Sequence, residues 1–244
     1  MSDLLTEPVH AFAIAREEFE GVTDKVGDPY SDHLVRVLGY TESVIGRELL
    51  GPFAPKPPAA DDVAIAALLH DLIEDTAYEL WEDESGVGMR SGERSVRLTE
   101  AVWNALNALT KRKDESYERY LGRVMGDEIA LVVKAGDLRD NTDPERLKRL
   151  EPAERQRLLL KYLPARLRID LALYASWYVG KPPTQEYVQM FRDGLEHKLG
   201  QFRDLLGLPE EAVSVSLERS DGTLRYNLDV KLDAYPDLYA RIAP

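Results

Sequence analysis

The sequence contains no cysteine among its 244 residues. This absence excludes disulfide bonds, thiolate catalysis and zinc sites built on cysteine. Positive charge is also scarce, because 31 Lys and Arg stand against 44 Asp and Glu, for a net charge of -13. A broad nucleic-acid interface needs clustered Lys and Arg to neutralise phosphates. We therefore expect no nucleic-acid partner, although a small phosphorylated ligand remains compatible with this charge.

Long apolar runs are missing as well. No stretch reaches the roughly 18 apolar residues that a membrane-spanning helix needs. The N-terminal segment has neither the basic start nor the apolar run of a secretory signal. We therefore expect a cytoplasmic protein with no membrane partner, and a chain long enough to bury a core without disulfides.

Apolar residues recur at helical spacing through most of the chain, which predicts a mostly α-helical fold. The predicted helices cover 9–20, 32–50, 63–69, 95–109, 116–125, 127–138, 152–178 (with a break or kink at Pro164) and 184–208. A Pro-rich connector covers 51–60. Three glycines between Trp81 and Arg94 predict a loop or mobile flap there.

The pattern changes near the C-terminus. From Val213 onward apolar residues alternate with polar ones on both sides of a Ser220-Asp221-Gly222 turn. This alternation predicts a small C-terminal β-hairpin. We expect a helical domain over 1–180 and an appendage of one helix plus the hairpin over 181–244, a segment that could also support a homo-oligomer.

A cluster of ionisable residues follows one of the predicted helices. The run Val63–Leu69 is apolar on every face, which is typical of a central buried helix, and His70 and Asp71 come directly after it. Glu74 and Asp75 follow one turn later. Several carboxylates at the end of a buried helix are costly unless a cation neutralises them. The pattern therefore favours a metal site over a core histidine beside a solvated helix end.

Two other segments carry residues of the same kind. His33 follows a Gly-Asp-Pro turn, and Asp137 continues the buried face of an apolar helix. The alternatives are a surface histidine at a helix start and a solvent-exposed helix end. Taken together, His33, His70, Asp71 and Asp137 form a sulfur-free set, called here the His/Asp set. Such ligands suit one six-coordinate divalent cation such as Mn²⁺ or Fe²⁺, with Mg²⁺ or Zn²⁺ as alternatives.

Candidate catalytic and substrate-binding residues surround this set. Glu74 lies one turn beyond His70, where it can accept or donate a proton, and Asp75 can orient it. Basic residues that could bind phosphate are Lys111 and Arg112, which follow an apolar helix, Lys134, one turn before Asp137, and Lys25, before the Gly-Asp-Pro turn. The alternative for Lys111 and Arg112 is a solvated loop.

Three motifs resemble those of the HD-domain metal-dependent phosphohydrolases: GDPYSDH at 27–33, ALLHDLIEDT at 67–76 and KAGDLRDN at 134–141. They most resemble the hydrolase domain of RelA/SpoT proteins and small alarmone hydrolases. The resemblance covers about Phe12–Asp143. It implies an HD-type helical bundle that binds one Mn²⁺ through the His/Asp set.

The resemblance also implies a reaction, which is removal of the 3′-pyrophosphate from guanosine tetra- or pentaphosphate. It assigns the acid/base roles to Glu74 and Asp75 and substrate contacts to Lys25 and Asn141. The family carries an Arg-Lys pair, with the Arg packed on guanine, where this sequence has Asp24-Lys25. That difference favours an alternative substrate, either a deoxynucleotide or a phosphorylated dinucleotide cofactor. A further alternative is a nucleotide-binding module with a vestigial site.

Overall fold

The structure is a computed structural model that describes residues 3–48, 58–176, 185–206, 209–220 and 223–230. The mostly α-helical fold predicted from the sequence is confirmed. The chain forms two compact units, 1–143 and 144–244. Within the described residues, no helix is both long and apolar enough to cross a membrane.

The first unit is built around one apolar helix. Its helices are α1 (Pro8–Glu18), α2 (Tyr30–Glu48), α3 (Ala60–Leu69), α4 (Leu72–Asp75), α5 (Glu100–Leu109), α6 (Tyr117–Met125) and α7 (Glu128–Asn141). Helix α3 packs against α1, α2, α5 and α7, and most of its residues are buried. The residues that follow α3 therefore leave the helix inside the unit, next to the helices that surround it.

Helices α2 and α7 pass very close to each other at Gly136. A Cβ atom on Gly136 would lie 2.3 Å from Thr41 Oγ1 and 2.8 Å from the carbonyl oxygen of Val37. No other residue type fits this contact without displacing a helix. The close approach brings the first turn of α2, which carries His33, beside the last turns of α7, which carry Asp137.

A three-stranded antiparallel sheet joins α4 to α5. Its strands are β1 (Glu79–Asp83), β2 (Gly86–Ser91) and β3 (Arg94–Arg97), with β2 in the middle. The side chain of Met89 on β2 is fully buried. The loop or mobile flap predicted over Trp81–Arg94 is therefore wrong.

The glycines of this segment allow the turns between the strands and the close packing within the sheet. Gly86 and Gly92 have positive φ angles, of 130° and 57°, and lie where the strands turn. A Cβ atom on Gly88 would lie 2.5 Å from the Trp81 ring and 2.3 Å from the carbonyl oxygen of Val96. These positions need glycine for backbone conformation and close packing.

The second unit contains α8 (Pro144–Leu147), α9 (Pro152–Ser176), α10 (Gln185–Leu206), a 3₁₀ turn (Glu210–Ala212), β4 (Val213–Ser220) and β5 (Thr223–Val230). Strands β4 and β5 pair antiparallel from Val213↔Val230 to Ser220↔Thr223, as the alternation predicts. Helix α9 runs unbroken through Pro164, where the sequence predicted a break or kink. Leu163 and Ala165 are both buried, so packing on either side holds the helix together.

Some predicted features lie outside the described residues. They include most of the Pro-rich connector (51–57), Tyr178, and Asp221 and Gly222 of the predicted turn. The predicted domain boundary at residue 180 also lies there, whereas the two compact units meet between Asp143 and Pro144. The division into domains over 1–180 and 181–244 stays a prediction.

We expect Gly136→Ala to lower the free energy of unfolding by about 1–3 kcal/mol, the usual cost of overpacking. The matched control is Gly39→Ala, an exposed position in α2 where an added Cβ meets no atom within 4 Å. That change should raise the free energy of unfolding by about 0.5–1 kcal/mol, because alanine favours the helix. Urea titration measures both values. A stabilised Gly136→Ala variant would contradict the close contact between α2 and α7.

Candidate metal centre

The four side chains of the His/Asp set meet at one place in the first unit. Asp71 Oδ2 lies 2.9 Å from His70 Nε2 and 3.5 Å from His33 Nε2. Asp137 Oδ1 lies 3.8 Å from the Nε2 atom of each histidine. Both histidines and Asp137 are buried, and Asp71 is partly buried. The three helical segments thus place two imidazoles and two carboxylates face to face.

The contacts of His70 show that its Nε2 atom is suited to bind a metal ion. Its Nδ1 atom lies 2.8 Å from the carbonyl oxygen of Ala67, so Nδ1 carries a proton and donates it. In the neutral imidazole the lone pair is then on Nε2. This atom is buried and has no partner in hydrogen-bond geometry, even though Asp71 is close. A buried polar atom without a hydrogen bond requires an explanation, and a cation provides one.

The spacing of the ligand atoms also fits one ion. One atom each from His33, His70 and Asp71 lie within 4.8 Å of one another. Ligand atoms at about 2.0–2.2 Å from one ion are separated by at most about 4.4 Å. His33, His70 and Asp71 therefore fit a divalent cation, whereas Asp137 is not part of this group of three.

The electrostatic environment of the His/Asp set also favours a cation. Burial lowers the pKa of His33, but contacts with Asp140 and Asp71 and the charge of Asp137 raise it to about 9. Against the effect of burial, Asp71 and Asp137 also raise the pKa of His70. Burial raises the pKa of Asp71, but the two histidines hold it well below its usual range. The place where the four side chains meet therefore favours positive charge.

Three residues that were predicted to contact a substrate form hydrogen bonds with Asp137 or with each other. Lys134 Nζ lies 2.7 Å from Asp137 Oδ2, and the pKa of Lys134 is raised well above its ordinary value, against burial, mainly by Asp137. Asn141 Nδ2 donates to the backbone oxygen of Asp137 at 3.0 Å and also to Oδ1. Lys25 Nζ donates to Asn141 Oδ1 at 2.7 Å. The structure thus connects these residues to the set, and their contacts with a substrate stay a prediction.

Glu74 lies at the edge of the site and is held by a neighbouring loop. Its Oε2 atom accepts a hydrogen bond of 3.0 Å from the backbone N–H of Lys111. Arg123 fixes this loop, because its guanidinium donates to the carbonyl oxygen of Thr110 at 2.8 Å. The exposed side chain of Arg112 belongs to the same loop. The structure therefore brings the predicted phosphate-binding loop next to Glu74.

Asp75 follows Glu74 and is the last residue of α4. Partial burial raises the pKa of Asp75, and the negative charges of Asp71 and Glu74 add to this effect. A carboxyl group with a raised pKa keeps its proton closer to neutral pH. Asp75 is therefore better suited to donate a proton than an isolated aspartate would be.

Sequence reasoning missed residues that hold the set from outside. Tyr30 OH donates to Asp71 Oδ2 at 2.5 Å, and its ring stacks on Phe19 at 4.4 Å. Asp140 Oδ2 lies 2.7 Å from His33 Nδ1. Helical spacing contained a signal for Asp140, since it lies three residues after Asp137 in α7. Tyr30 also borders a cavity of about 700 Å³, which no residue of the His/Asp set lines.

Comparison with known proteins identifies no relative. No protein-family model matches the sequence, and no curated protein shows significant similarity to it. The site is therefore interpreted from its own side chains.

Asp71→Ala should abolish tight binding of a divalent ion, because it removes the carboxylate oxygen that lies close to both imidazoles. Elemental analysis of the purified protein after loading with Mn²⁺ measures the metal content. Asp61→Ala, an exposed change in the first turn of α3, is the matched control and should retain the metal. Full occupancy in Asp71→Ala would refute the proposed ligand set.

Proposed function

We propose that this protein is a metal-dependent phosphohydrolase that cleaves a phosphate or pyrophosphate bond of a small nucleotide. The observation that carries the proposal is the His/Asp set, in which the buried Nε2 atom of His70 lies 2.9 Å from Asp71 and 3.8 Å from Asp137. Glu74 lies one turn away and supplies an acid/base group.

The proposed substrate is guanosine tetra- or pentaphosphate, from which the enzyme removes the 3′-pyrophosphate. This part of the proposal is supported by the resemblance of the three motifs to alarmone hydrolases. In a chain of net charge -13, Lys25, Lys111 and Arg112 provide local positive charge for phosphates.

In the proposed reaction, the four residues of the His/Asp set hold one divalent ion. When bound, such an ion lowers the pKa of water and stabilises negative charge on phosphoryl oxygens. Glu74 accepts the proton of the attacking water, and the hydrogen bond from the Lys111 N–H keeps its carboxylate in place. As the bond between phosphorus and the leaving oxygen breaks, Asp75 donates a proton to that oxygen.

A specific observation favours a second candidate substrate. Asp24 is engaged within the protein, since its Oδ2 atom accepts a hydrogen bond of 2.6 Å from Arg36. Its Oδ1 atom accepts hydrogen bonds from the backbone N–H groups of Val26 and Asp28. The side chain at position 24 is therefore a hydrogen-bonded carboxylate and not a cation that could pack on a nucleobase. The second candidate is a phosphohydrolase that acts on another nucleotide, either a deoxynucleotide or a phosphorylated dinucleotide cofactor.

A turnover screen with purified protein and Mn²⁺ tests the proposal and separates the two candidates. We expect guanosine tetraphosphate to release pyrophosphate and no orthophosphate, measured by separate assays for the two products. Deoxynucleoside triphosphates and phosphorylated dinucleotides complete the panel. Turnover of one of these and not of guanosine tetraphosphate would replace the first candidate with the second. Metal binding without turnover of any nucleotide would contradict both and support a binding module.

The Glu74→Gln variant tests the proton-transfer role of Glu74 separately from metal and substrate binding. We expect kcat to fall by about 10²–10⁴-fold, the usual contribution of a positioned acid/base group, while metal and substrate binding remain unchanged. Glutamine preserves the shape and can still accept the Lys111 N–H bond, but it cannot accept a proton. Glu79→Gln is the matched control, since Glu79 is an exposed carboxylate on β1 that pairs with Arg90 at 2.9 Å. Turnover of Glu74→Gln within a few-fold of the wild type would assign the role to another residue.

A further inference from the structure

A buried carboxylate outside the His/Asp set contacts one of its histidines. Asp140, in the last turn of α7, is fully buried. Its Oδ2 atom lies 2.7 Å from His33 Nδ1, and its Oδ1 atom accepts a hydrogen bond of 2.7 Å from Arg36 Nε. The two oxygens thus bind different partners, so the carboxylate cannot rotate without breaking a hydrogen bond.

Arg36 continues this chain of contacts to the surface turn. Its Nη2 atom donates to Asp24 Oδ2 at 2.6 Å, while Asp24 Oδ1 accepts the N–H groups of Val26 at 3.0 Å and Asp28 at 3.1 Å. The polar contacts therefore run from the turn through Asp24, Arg36 and Asp140 to His33. Each acidic member has a cationic or N–H partner, so the buried charges are compensated.

The contact with Asp140 determines which ring nitrogen of His33 is directed at the other members of the His/Asp set. An imidazole that donates a hydrogen bond from Nδ1 presents the lone pair of Nε2, and His33 Nε2 is the atom directed at Asp71 and Asp137. A carboxylate partner also strengthens electron donation by the imidazole to a metal. The second histidine differs, because His70 Nδ1 is bonded to the neutral carbonyl of Ala67.

We propose that Asp140 is a positioning residue that sets the tautomer and orientation of His33 for metal binding, and that Arg36 acts by holding Asp140. The inference rests on the proposed metal-dependent function, but it concerns a residue that does not itself ligate the ion. It distinguishes the two histidine ligands, one supported by a charged network and the other by a backbone carbonyl.

Titration of the full chain with Mn²⁺, followed by the electron paramagnetic resonance signal of free Mn²⁺, tests the proposal without depending on activity. Asp140→Asn keeps an acceptor for His33 Nδ1 but loses the charge. We expect its Mn²⁺ affinity to fall by about 10–100-fold, as for other residues that orient metal ligands. Thermal unfolding in the presence of a chelator reports separately whether the metal-free fold survives.

Asp143→Asn is the matched control. Asp143 lies three residues after Asp140 and accepts a hydrogen bond of 2.7 Å from Tyr40 OH of α2, so it makes a similar contact to the same helix without touching a histidine of the set. Its Mn²⁺ affinity should equal that of the wild type. An equal loss in both variants would show a general effect of changing this helix contact and would overturn the proposal.

Arg36→Gln tests the second part of the inference. Because Arg36 acts through Asp140, the double variant Arg36→Gln/Asp140→Asn should bind Mn²⁺ no more weakly than Asp140→Asn alone. Additive losses would overturn the role given to Arg36. If Asp140→Asn fails to fold, Arg36→Gln alone carries the test, since its side chain is 28% exposed and the change is better tolerated. Arg36→Gln should then bind Mn²⁺ more weakly than the wild type, and unchanged affinity would overturn the proposal.

The wild-type titration distinguishes failure of the inference about Asp140 from failure of the proposed metal-dependent function. If the wild type binds Mn²⁺ and Asp140→Asn binds it equally well, the inference fails and the metal site remains. If the wild type binds none of Mn²⁺, Fe²⁺, Mg²⁺ and Zn²⁺, the proposed function fails and the inference fails with it.

Discussion

Neutralisation of negative charge at the end of a buried apolar helix is the constraint on which the first unit depends. Helix α3 ends inside the unit, so Asp71 and the nearby Asp137 are removed from most of the solvent that would otherwise stabilise their charge. In the structure, imidazoles, Lys134 and a tyrosine hydroxyl surround these carboxylates. The positions of α2 and α7 follow from this requirement, since they carry His33 and Asp137 to the same place.

Much of this architecture could be predicted from the sequence, because its signals are local. The run Val63–Leu69 is apolar on all faces, and the structure makes it the central helix of the unit. Helical spacing placed Asp137 on the buried face of α7, and the structure shows it buried. The alternation from Val213 likewise matched the pairing of β4 with β5.

Other features could not be predicted, because they depend on contacts between distant segments. The glycines between Trp81 and Arg94 suggested a loop or mobile flap, yet Gly88 is required where the Trp81 ring packs on it. Helical spacing places Asp140 near Asp137, but its partners His33 and Arg36 lie on another helix and could not be identified from the sequence. The pairing of Lys134 with Asp137 is also a contact that spacing alone does not reveal, and the expected contact of Lys134 with a substrate stays a prediction.

Residues that contact each other in and around the site lie far apart along the chain, and this separation affects folding. Lys25 and Asn141 are 116 residues apart, and His33 and Asp140 are 107 residues apart. Contacts between such distant residues form late, because the loss of chain entropy comes before their gain in energy. During synthesis, both histidines emerge long before α7, so the site cannot assemble until that helix docks. A bound metal ion would then stabilise only the completed unit and make its unfolding more cooperative.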